Sequence, residues 1–153
     1  MQEKVKELIE KAESLVAEIK QHISTAKVVE SNRFKTLADG WVLDKALGIE
    51  WGPSSQKRMN WEEAKKCAAD QGGRLPTVKE LRSLIDYDRH NPAVDTTFFA
   101  DTKTDDWYWT GTEVAGSSSS AWCVVFSYGY VLYNFKGYDY CVRPVRASQC
   151  LII

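Results

Sequence analysis

The sequence predicts one α+β domain, residues 31–153, preceded by an amphipathic helix within residues 1–30. A chain of 153 residues has the length of one domain with a small appendage. Helix-start signals lie before residue 86, whereas strand-like segments rich in aromatic and β-branched residues lie after residue 107. Helices and strands therefore follow one another instead of alternating, which is typical of an α+β fold.

Residues 3–27 are predicted to form one helix with an apolar stripe. The stripe has alternating spacings of four and three residues, and Leu8 and Leu15 widen it. Its members are Val5, Ile9, Ala12, Val16, Ile19, Ile23 and Ala26. The pattern fits either a coiled coil that joins copies of the chain or a helix that packs on its own domain. We favour the first interpretation, a homo-oligomer formed through this helix.

Residues 40–51 are predicted to form a hairpin, and two helices are predicted to follow it. Asn60 has the position of an N-cap for a helix that ends near Asp70. Thr77 and Glu80 form the capping-box pattern of the next helix. The buried face of that helix is predicted to contain Leu81, Leu84 and Ile85.

The last third of the chain is predicted to form four strands. These are residues 107–113, 121–127, 130–135 and 140–147, and residues 115–120 are expected to be a flexible loop. Alternation along the second of these strands predicts one face toward the core and one toward solvent. Trp122, Val124 and Phe126 are expected inside, and Cys123, Val125 and Ser127 outside.

The segment from residue 117 to 141 has an unusual composition. Its only charged residues are Lys136 and Asp139, and five of the chain's seven tyrosines lie between Tyr128 and Tyr140. Aromatic residues are good strand formers, but Tyr with Ser, Gly and Asn is also the composition of antibody binding loops. Since the segment has too many aromatic residues to bury them all, we favour an exposed binding surface.

Several classes of function lack support in the sequence. The net charge of −1 provides no basic field for nucleic acid, and no apolar run is long enough for insertion into a membrane. The N-terminus lacks the apolar core of a signal peptide, so the compartment is not predicted. The four cysteines form no C-x-x-C pair and there are only two histidines, so no metal is expected.

The sequence motifs of common catalytic and cofactor-binding sites also find no match in this chain. His90 is the only ring base outside the first helix, and residues 117–120 lack the glycine elbow of a serine hydrolase. No glycine loop has the lysine needed to bind phosphates. The carboxylates of Asp101, Asp105 and Asp106 could bind calcium, but their segment lacks the glycine turn of an EF-hand loop. We therefore expect no cofactor and no enzymatic activity.

Seven motifs in order give the chain a family resemblance. They are DGWVLDKALGIEW, W..A...C, GGRLPTVKELRSLID, PAVD...F, YWTGTE, AWCVVFSYGYV and VRPVR, and the resemblance that they carry covers about residues 34–147. This order resembles the Lcl C-terminal domain family, a module found at the end of bacterial collagen-like adhesins. The resemblance implies a C-type lectin-like fold with two helices, a small twisted antiparallel sheet and long loops.

The sequence also departs from the patterns of these relatives. Family members often carry a cysteine at the position of Pro144, and that cysteine could pair with the one at Cys67. On a regular strand Cys141 would point to the opposite face from position 144, so a Cys67–Cys141 disulfide is not expected. The calcium motifs of sugar-binding lectins are missing. The signature of formylglycine-generating enzymes, which share the fold, is missing too.

The end of the domain further resembles the variable proteins of diversity-generating retroelements. Those systems randomise adenines, mostly in Asn codons, which can never then encode Glu, Lys, Gln, Met or Trp. Between residues 117 and 141 the only residues of those types are Trp122 and Lys136. The resemblance implies a fixed frame, namely Trp122, Val124, Phe126, Gly129, Val131 and Lys136.

From this resemblance we expect a variable ligand-binding protein, a receptor or adhesin for an unknown protein or glycan on a cell or virion surface. The expected ligand-binding residues are Cys123, Val125, Ser127, Tyr128, Tyr130, Leu132, Tyr133, Asn134, Phe135, Gly137, Tyr138, Asp139 and Tyr140. A fixed-specificity adhesin or glycan-binding domain is the alternative, and an enzyme of the formylglycine-generating type is a third.

Overall fold

The structure is a computed structural model that describes residues 1–25 and 28–149, with side chains described for residues 1–20 and 28–149. Within those residues it contains three helices and seven strands. The helices are α1 (Gln2–Thr25), α2 (Trp61–Asp70) and α3 (Val78–Arg82). The strands are β1 (Phe34–Thr36), β2 (Val42–Asp44), β3 (Ile49–Trp51), β4 (Trp107–Val114), β5 (Ser117–Val125), β6 (Tyr130–Phe135) and β7 (Val145–Ala147).

The strands form two antiparallel sheets, which confirms the predicted α+β class. One sheet has the order β1-β2-β3-β7 and the other has the order β4-β5-β6. The hairpin predicted for residues 40–51 is the β2–β3 pair. The second sheet places β5 at its centre and leaves β6 as an edge strand.

Two helices begin where the capping patterns predict. The Asn60 side chain accepts a hydrogen bond from the Glu63 amide at 3.0 Å. Thr77 and Glu80 form a complete capping box, in which each side chain binds the other residue's backbone amide. Both caps satisfy amide groups that have no partner inside the helix.

Two predicted boundaries are wrong. Residues 117–120 are not a flexible loop, because Gly116 adopts a φ of +79° in a tight turn and returns the chain into β5 at Ser117. The final strand is shorter than residues 140–147. Pro144 has no amide hydrogen to donate, and only Val145–Ala147 pairs with β3.

The core has two parts, one on each face of the β4-β5-β6 sheet. The first lies toward the other sheet and α3, and contains Trp51, Leu81, Tyr108, Val124 and Phe126. The second lies under α2, and contains Trp61, Ala64, Trp109, Ala121 and Cys123. Because β5 contributes to both parts, it is covered on both faces.

The apolar stripe of α1 is exposed to solvent in the described side chains. Every side chain of residues 1–20 is exposed, including Leu8, Ile9 and Ile19. The interpretation that this stripe packs on its own domain is therefore wrong for the described side chains; Ile23 and Ala26 lie outside them. In the described part of the chain no helix is both long and apolar enough to cross a membrane.

A buried arginine joins the end of β3 to the loop before β4. Arg143 is 3% exposed and donates to the Asp101 carboxylate at 2.7 Å, to the Thr102 hydroxyl at 2.9 Å and to the Gly52 carbonyl at 3.0 Å. Burial alone would raise the pKa of Asp101, but the charge and hydrogen bonds of Arg143 outweigh it, so the pKa lies below its usual 3.8.

Replacing Asp101 by Asn should lower the free energy of unfolding at pH 7 by about 2 kcal/mol, because Arg143 would stay buried without its counter-ion. A depressed pKa stabilises the fold above the pKa of the unfolded chain, and this contribution disappears as the pH falls through the folded value. Urea denaturation should therefore show the gap between the two proteins closing below about pH 4. The exposed Asp105→Asn variant is the control, and an equal effect of both variants at pH 7 would contradict the role given to Arg143.

Candidate ligand-binding surface

Two of the expected ligand-binding residues are buried in β5. Cys123 and Val125 are 1% and 5% exposed, so the expectation that they face solvent is wrong. Cys123 packs in the core under α2, where the sequence pattern predicted an outer face. Simple alternation misplaces Cys123 because α2 covers the face of β5 that an arrangement of two layers would leave open. Val125, on the same face of the strand, is buried as well.

Trp122 shows the opposite difference between the predicted and the observed burial. It was expected inside, but it is only partly buried and belongs to neither part of the core. Its ring meets the ring of Tyr133 edge-on, with 5.4 Å between centroids. Its neighbours Val124 and Phe126 are buried as predicted. Trp122 therefore supports the exposed strand β6 from the side.

The strand β6 and the turns on either side of it carry a cluster of exposed apolar side chains. Outside residues 1–27, nine large apolar side chains are exposed in the described residues, and six of them fall between residues 128 and 138. Each of the six is more than half exposed: Tyr128, Tyr130, Leu132, Tyr133, Phe135 and Tyr138. We call these six residues the aromatic edge.

Not all of the remaining expected ligand-binding residues are equally accessible. Gly137 and Asp139 are exposed in the turn after β6. Ser127, Asn134 and Tyr140 are partly buried. The structure thus brings eleven of the thirteen expected residues together along one edge of the sheet and places Cys123 and Val125 beneath them.

The aromatic edge wraps around both sides of β6. Leu132 pairs with Cys123, and Tyr133 pairs with Trp122, so the two neighbours point to opposite faces of the sheet. Because no further strand follows β6 in the sheet, the side chains of both faces reach solvent at the same edge. A ligand would therefore meet a ridge with two flanks.

A ladder of stacked rings extends from this ridge into the core. Phe135 stacks on Tyr138 with centroids 6.4 Å apart, and Tyr138 stacks on Tyr140 at 6.2 Å. Tyr140 then packs on the buried Trp109 at 4.9 Å. The Asn134 amide donates to the Tyr140 hydroxyl at 2.6 Å. The ladder therefore holds the exposed rings of Phe135 and Tyr138 on a rigid base.

Three residues of the expected fixed frame have roles that side-chain replacement would disturb. Gly129 has a φ of +93°, and a Cβ there would lie 2.3 Å from Ile85 Cγ2. Val131 is partly buried against the first part of the core. Lys136 lies over the Trp61 ring at 4.1 Å and binds the Glu113 carboxylate at 3.0 Å.

Sequence analysis missed two residues beside the surface. His90 stacks on Tyr128 with centroids 5.8 Å apart and nearly parallel rings, which connects the loop before β4 to the surface. Trp107 is partly buried with its ring 6.4 Å from that of Tyr140. Both contacts join segments far apart in the chain, so no local pattern could indicate them.

Among the described residues, the cysteines and carboxylates considered for catalysis or metal binding do not come together in one site. Burial raises the pKa of Cys123 to about 12 and, with the Asp106 carboxylate nearby, raises the pKa of Cys141 to about 11. Cys67, Cys123 and Cys141 are free thiols. Asp101 binds Arg143 and Asp106 binds Arg58, so these carboxylates do not converge on one point. Among the described residues no cluster of three potential metal ligands occurs.

Comparison with known proteins identifies one family. The model of the Lcl C-terminal domain matches residues 40–146, more than half of the chain. The matched range contains the aromatic edge, the buried strand β5 and both short helices, and it excludes α1. No curated protein matched the sequence.

Replacing Tyr128, Tyr130, Tyr133 and Tyr138 together by Ala should leave the protein folded. Surface substitutions usually change stability by no more than about 0.5 kcal/mol each, so urea denaturation should show a total loss of about 2 kcal/mol or less. The control is Tyr108→Ala, a single buried tyrosine whose loss should cost about 3 kcal/mol or more. Unfolding of the fourfold variant would show that these tyrosines belong to the core.

Cys123 and Cys141 should resist alkylation in the folded protein, because a raised pKa leaves almost no thiolate near pH 8. Mass spectrometry of iodoacetamide-treated protein should find both modified at least about 200-fold more slowly than in urea. The partly exposed Cys67 is the internal reference. Rapid labelling of either buried thiol would favour an enzyme with a reactive cysteine.

Proposed function

We propose that the chain, which belongs to the Lcl C-terminal domain family, is a non-enzymatic ligand-binding protein of the kind that diversity-generating retroelements vary. Its scaffold would be C-type lectin-like, and the aromatic edge would bind the ligand. The partner would be a protein or glycan on a cell or virion surface. The arrangement of two short helices around small antiparallel sheets is compatible with such a scaffold.

The observation that carries the proposal is the separation of exposed from constrained positions within one short segment. The six exposed side chains of the aromatic edge alternate with residues that the fold needs, such as Gly129, Val131 and Lys136. Neither Gly129 nor Lys136 could change without steric conflict or loss of an ion pair. The six exposed residues could change, because their side chains lie mostly outside the core.

Affinity would come from the aromatic rings. Tyrosine offers a large contact area with few rotatable bonds, and its hydroxyl adds a hydrogen bond. Such residues dominate the binding energy of many interfaces. Of the charged residues in this segment, Lys136 is already paired with Glu113, which leaves Asp139 exposed. The surface therefore favours contact and hydrogen bonding over long-range charge attraction.

The DNA beside the gene provides the most direct test of diversification. We expect a reverse-transcriptase gene nearby and a second copy of the stretch that encodes residues 117–146, differing from it mainly where the copy has adenine. Intact flanking DNA without both elements would contradict the proposal and would favour an adhesin of fixed specificity.

A pair of protein libraries would test whether the surface tolerates variation. The first library randomises the six residues of the aromatic edge, and its matched control randomises six buried positions. The buried positions are Trp109, Ala121, Cys123, Val124, Val125 and Phe126.

On a display platform most clones of the first library should resist protease, whereas few clones of the control should. Selection of the first library on an immobilised test protein such as lysozyme should then enrich binders. An equal loss of protease resistance in the two libraries would contradict the separation of surface and frame.

A further inference from the structure

We infer that the ligand of the aromatic edge is a protein that presents an extended segment, and that this segment pairs with β6 as a fourth strand of the β4-β5-β6 sheet. The inference rests on the proposed function, because it names the kind of ligand for that surface. Strand addition requires an open sheet edge with unpaired backbone groups, and side chains that select the segment. The described part of the chain has these features together at β6.

The outer edge of β6 is open, whereas the other three sheet edges are covered within the described residues. At β7, Arg74 and Val145 exchange two backbone hydrogen bonds of 2.8 and 2.9 Å. At β4, Cys141 accepts from the Trp109 amide at 3.0 Å and donates to the Trp107 carbonyl at 2.8 Å. The strand β1 pairs with the segment just before it. Among the edges described, β6 is therefore the one that can accept a further strand.

The register of β5 and β6 shows which backbone groups point to the open edge. The Lys136 amide donates to the Ser119 carbonyl at 2.9 Å, and the pairing continues without a shift to Tyr130. In an antiparallel ladder only every second residue bonds to a given neighbour. The even-numbered residues of β6 therefore bond to β5, and the odd-numbered residues turn their N–H and C=O groups outward.

Two of the outward residues, Val131 and Tyr133, have unpaired backbone groups. Phe135 is engaged locally, since its amide donates to Asn134 Oδ1 at 3.0 Å and its carbonyl accepts from the Tyr138 amide at 3.1 Å. No hydrogen bond to the N–H or C=O groups of Val131 and Tyr133 occurs in the described chain. These groups repeat at about 6.8 Å, the repeat of an extended polypeptide. A second extended backbone can therefore match them, whereas the hydroxyl groups of a glycan do not follow this repeat.

The sequence of β6 also lacks the features that normally keep an edge strand from pairing. Natural edge strands often carry charged residues, a proline or a β-bulge. Residues 130–135, YVLYNF, include neither a charge nor a proline, and their register with β5 is regular. The register of β4 with β5, by contrast, shifts twice. An uncharged and regular edge of this kind is suited to accept another strand.

The aromatic edge would select the segment that pairs with β6. Leu132 and Tyr133 lie on opposite faces of the sheet, so the added strand would meet different side chains on its two faces. Side chains directly opposite one another on paired strands have Cβ atoms about 4.5–5.5 Å apart, close enough for contact. Backbone hydrogen bonds do not depend on the sequence of either partner. Variation at Tyr130, Leu132 and Tyr133 would therefore change the preferred segment while part of the affinity is kept.

Hydrogen exchange with a selected peptide tests whether β6 gains a strand. Phage-displayed random linear peptides of about 12 residues, long enough for one strand, are selected on the immobilised full chain, and the tightest binder is synthesised. In NMR spectra the amides of Val131 and Tyr133 should exchange freely in the free protein and at least about 10-fold more slowly with the peptide bound. The Leu132 amide, which bonds to β5, should be slow in both states. Slow exchange at Val131 and Tyr133 without peptide would mean that a second copy covers the edge, and would overturn the inference.

A matched pair of variants separates the backbone from the ring. Tyr133→Ala and Tyr133→Pro both remove the ring, but only proline removes the outward N–H, and an edge strand tolerates proline where its N–H points to solvent. Isothermal titration calorimetry should find the peptide bound at least about 10-fold more weakly by the proline variant, because a peptide carbonyl loses its donor. Near-ultraviolet circular dichroism checks that both variants are folded. Equal affinities of the two folded variants would overturn the inference.

N-Methylation of the peptide provides the same test with the protein unchanged. Methylation of successive peptide amides should weaken binding at least about 10-fold at every second residue, because alternate amides of an added strand face β6. An effect that does not alternate along the peptide would overturn strand addition, also where Tyr133→Pro fails to fold.

Failure of strand addition can be told apart from failure of the proposed function. A peptide that no longer binds the fourfold tyrosine-to-alanine variant, but shows neither amide protection nor an alternating effect of methylation, would overturn strand addition and leave the proposed function intact. A selection that yields no peptide, or only peptides that still bind the fourfold variant, would also overturn strand addition. In that case the library selection on lysozyme decides separately whether the surface binds ligands at all.

Discussion

The burial of β5 on both faces determines which residues of the segment are left exposed to solvent. Val124 and Phe126 pack toward α3 and the other sheet, while Ala121 and Cys123 pack under α2. Almost any change in the middle of β5 would leave a cavity or a clash in a close-packed core. The neighbouring strand β6 has no such cover at its outer edge, so its side chains are the ones left to solvent.

The edge strand is nevertheless held firmly. Gly129 fits closely against Ile85, Lys136 bridges Trp61 and Glu113, and the rings from Phe135 to Tyr140 lead down to Trp109. The contacts of Gly129 and Lys136, and the contact of Tyr140 with Trp109, use residues outside the aromatic edge. Rigid support of this kind lowers the entropy lost when a ligand binds, and it allows the exposed rings to differ without changing the fold. Under the proposed function, ligand specificity and folding would therefore depend on different residues of one segment.

Much of the fold could be predicted from the sequence because its signals are local. The capping residues Asn60 and Thr77, the first hairpin and the turn at Gly129 depend on neighbours within a few positions. The aromatic edge was also predictable, since its composition exceeds what a core can bury. The burial of Cys123 was not, because it depends on α2, which packs on the sheet from more than fifty residues away. No local pattern indicated that Val125 is buried or that Trp122 is only partly buried. Alternation along a strand tells which residues share a face, but it cannot tell whether a second layer covers the other face.

Sequencing the segment for residues 117–146 across a natural population of the gene would test the central claim most directly. The account predicts that amino-acid differences concentrate at the exposed residues between Tyr128 and Tyr140. Codons for Val124, Phe126, Gly129 and Lys136 should stay constant, and so should those for the buried Cys123 and Val125. Differences spread evenly over exposed and buried positions, or a segment without variation, would contradict it.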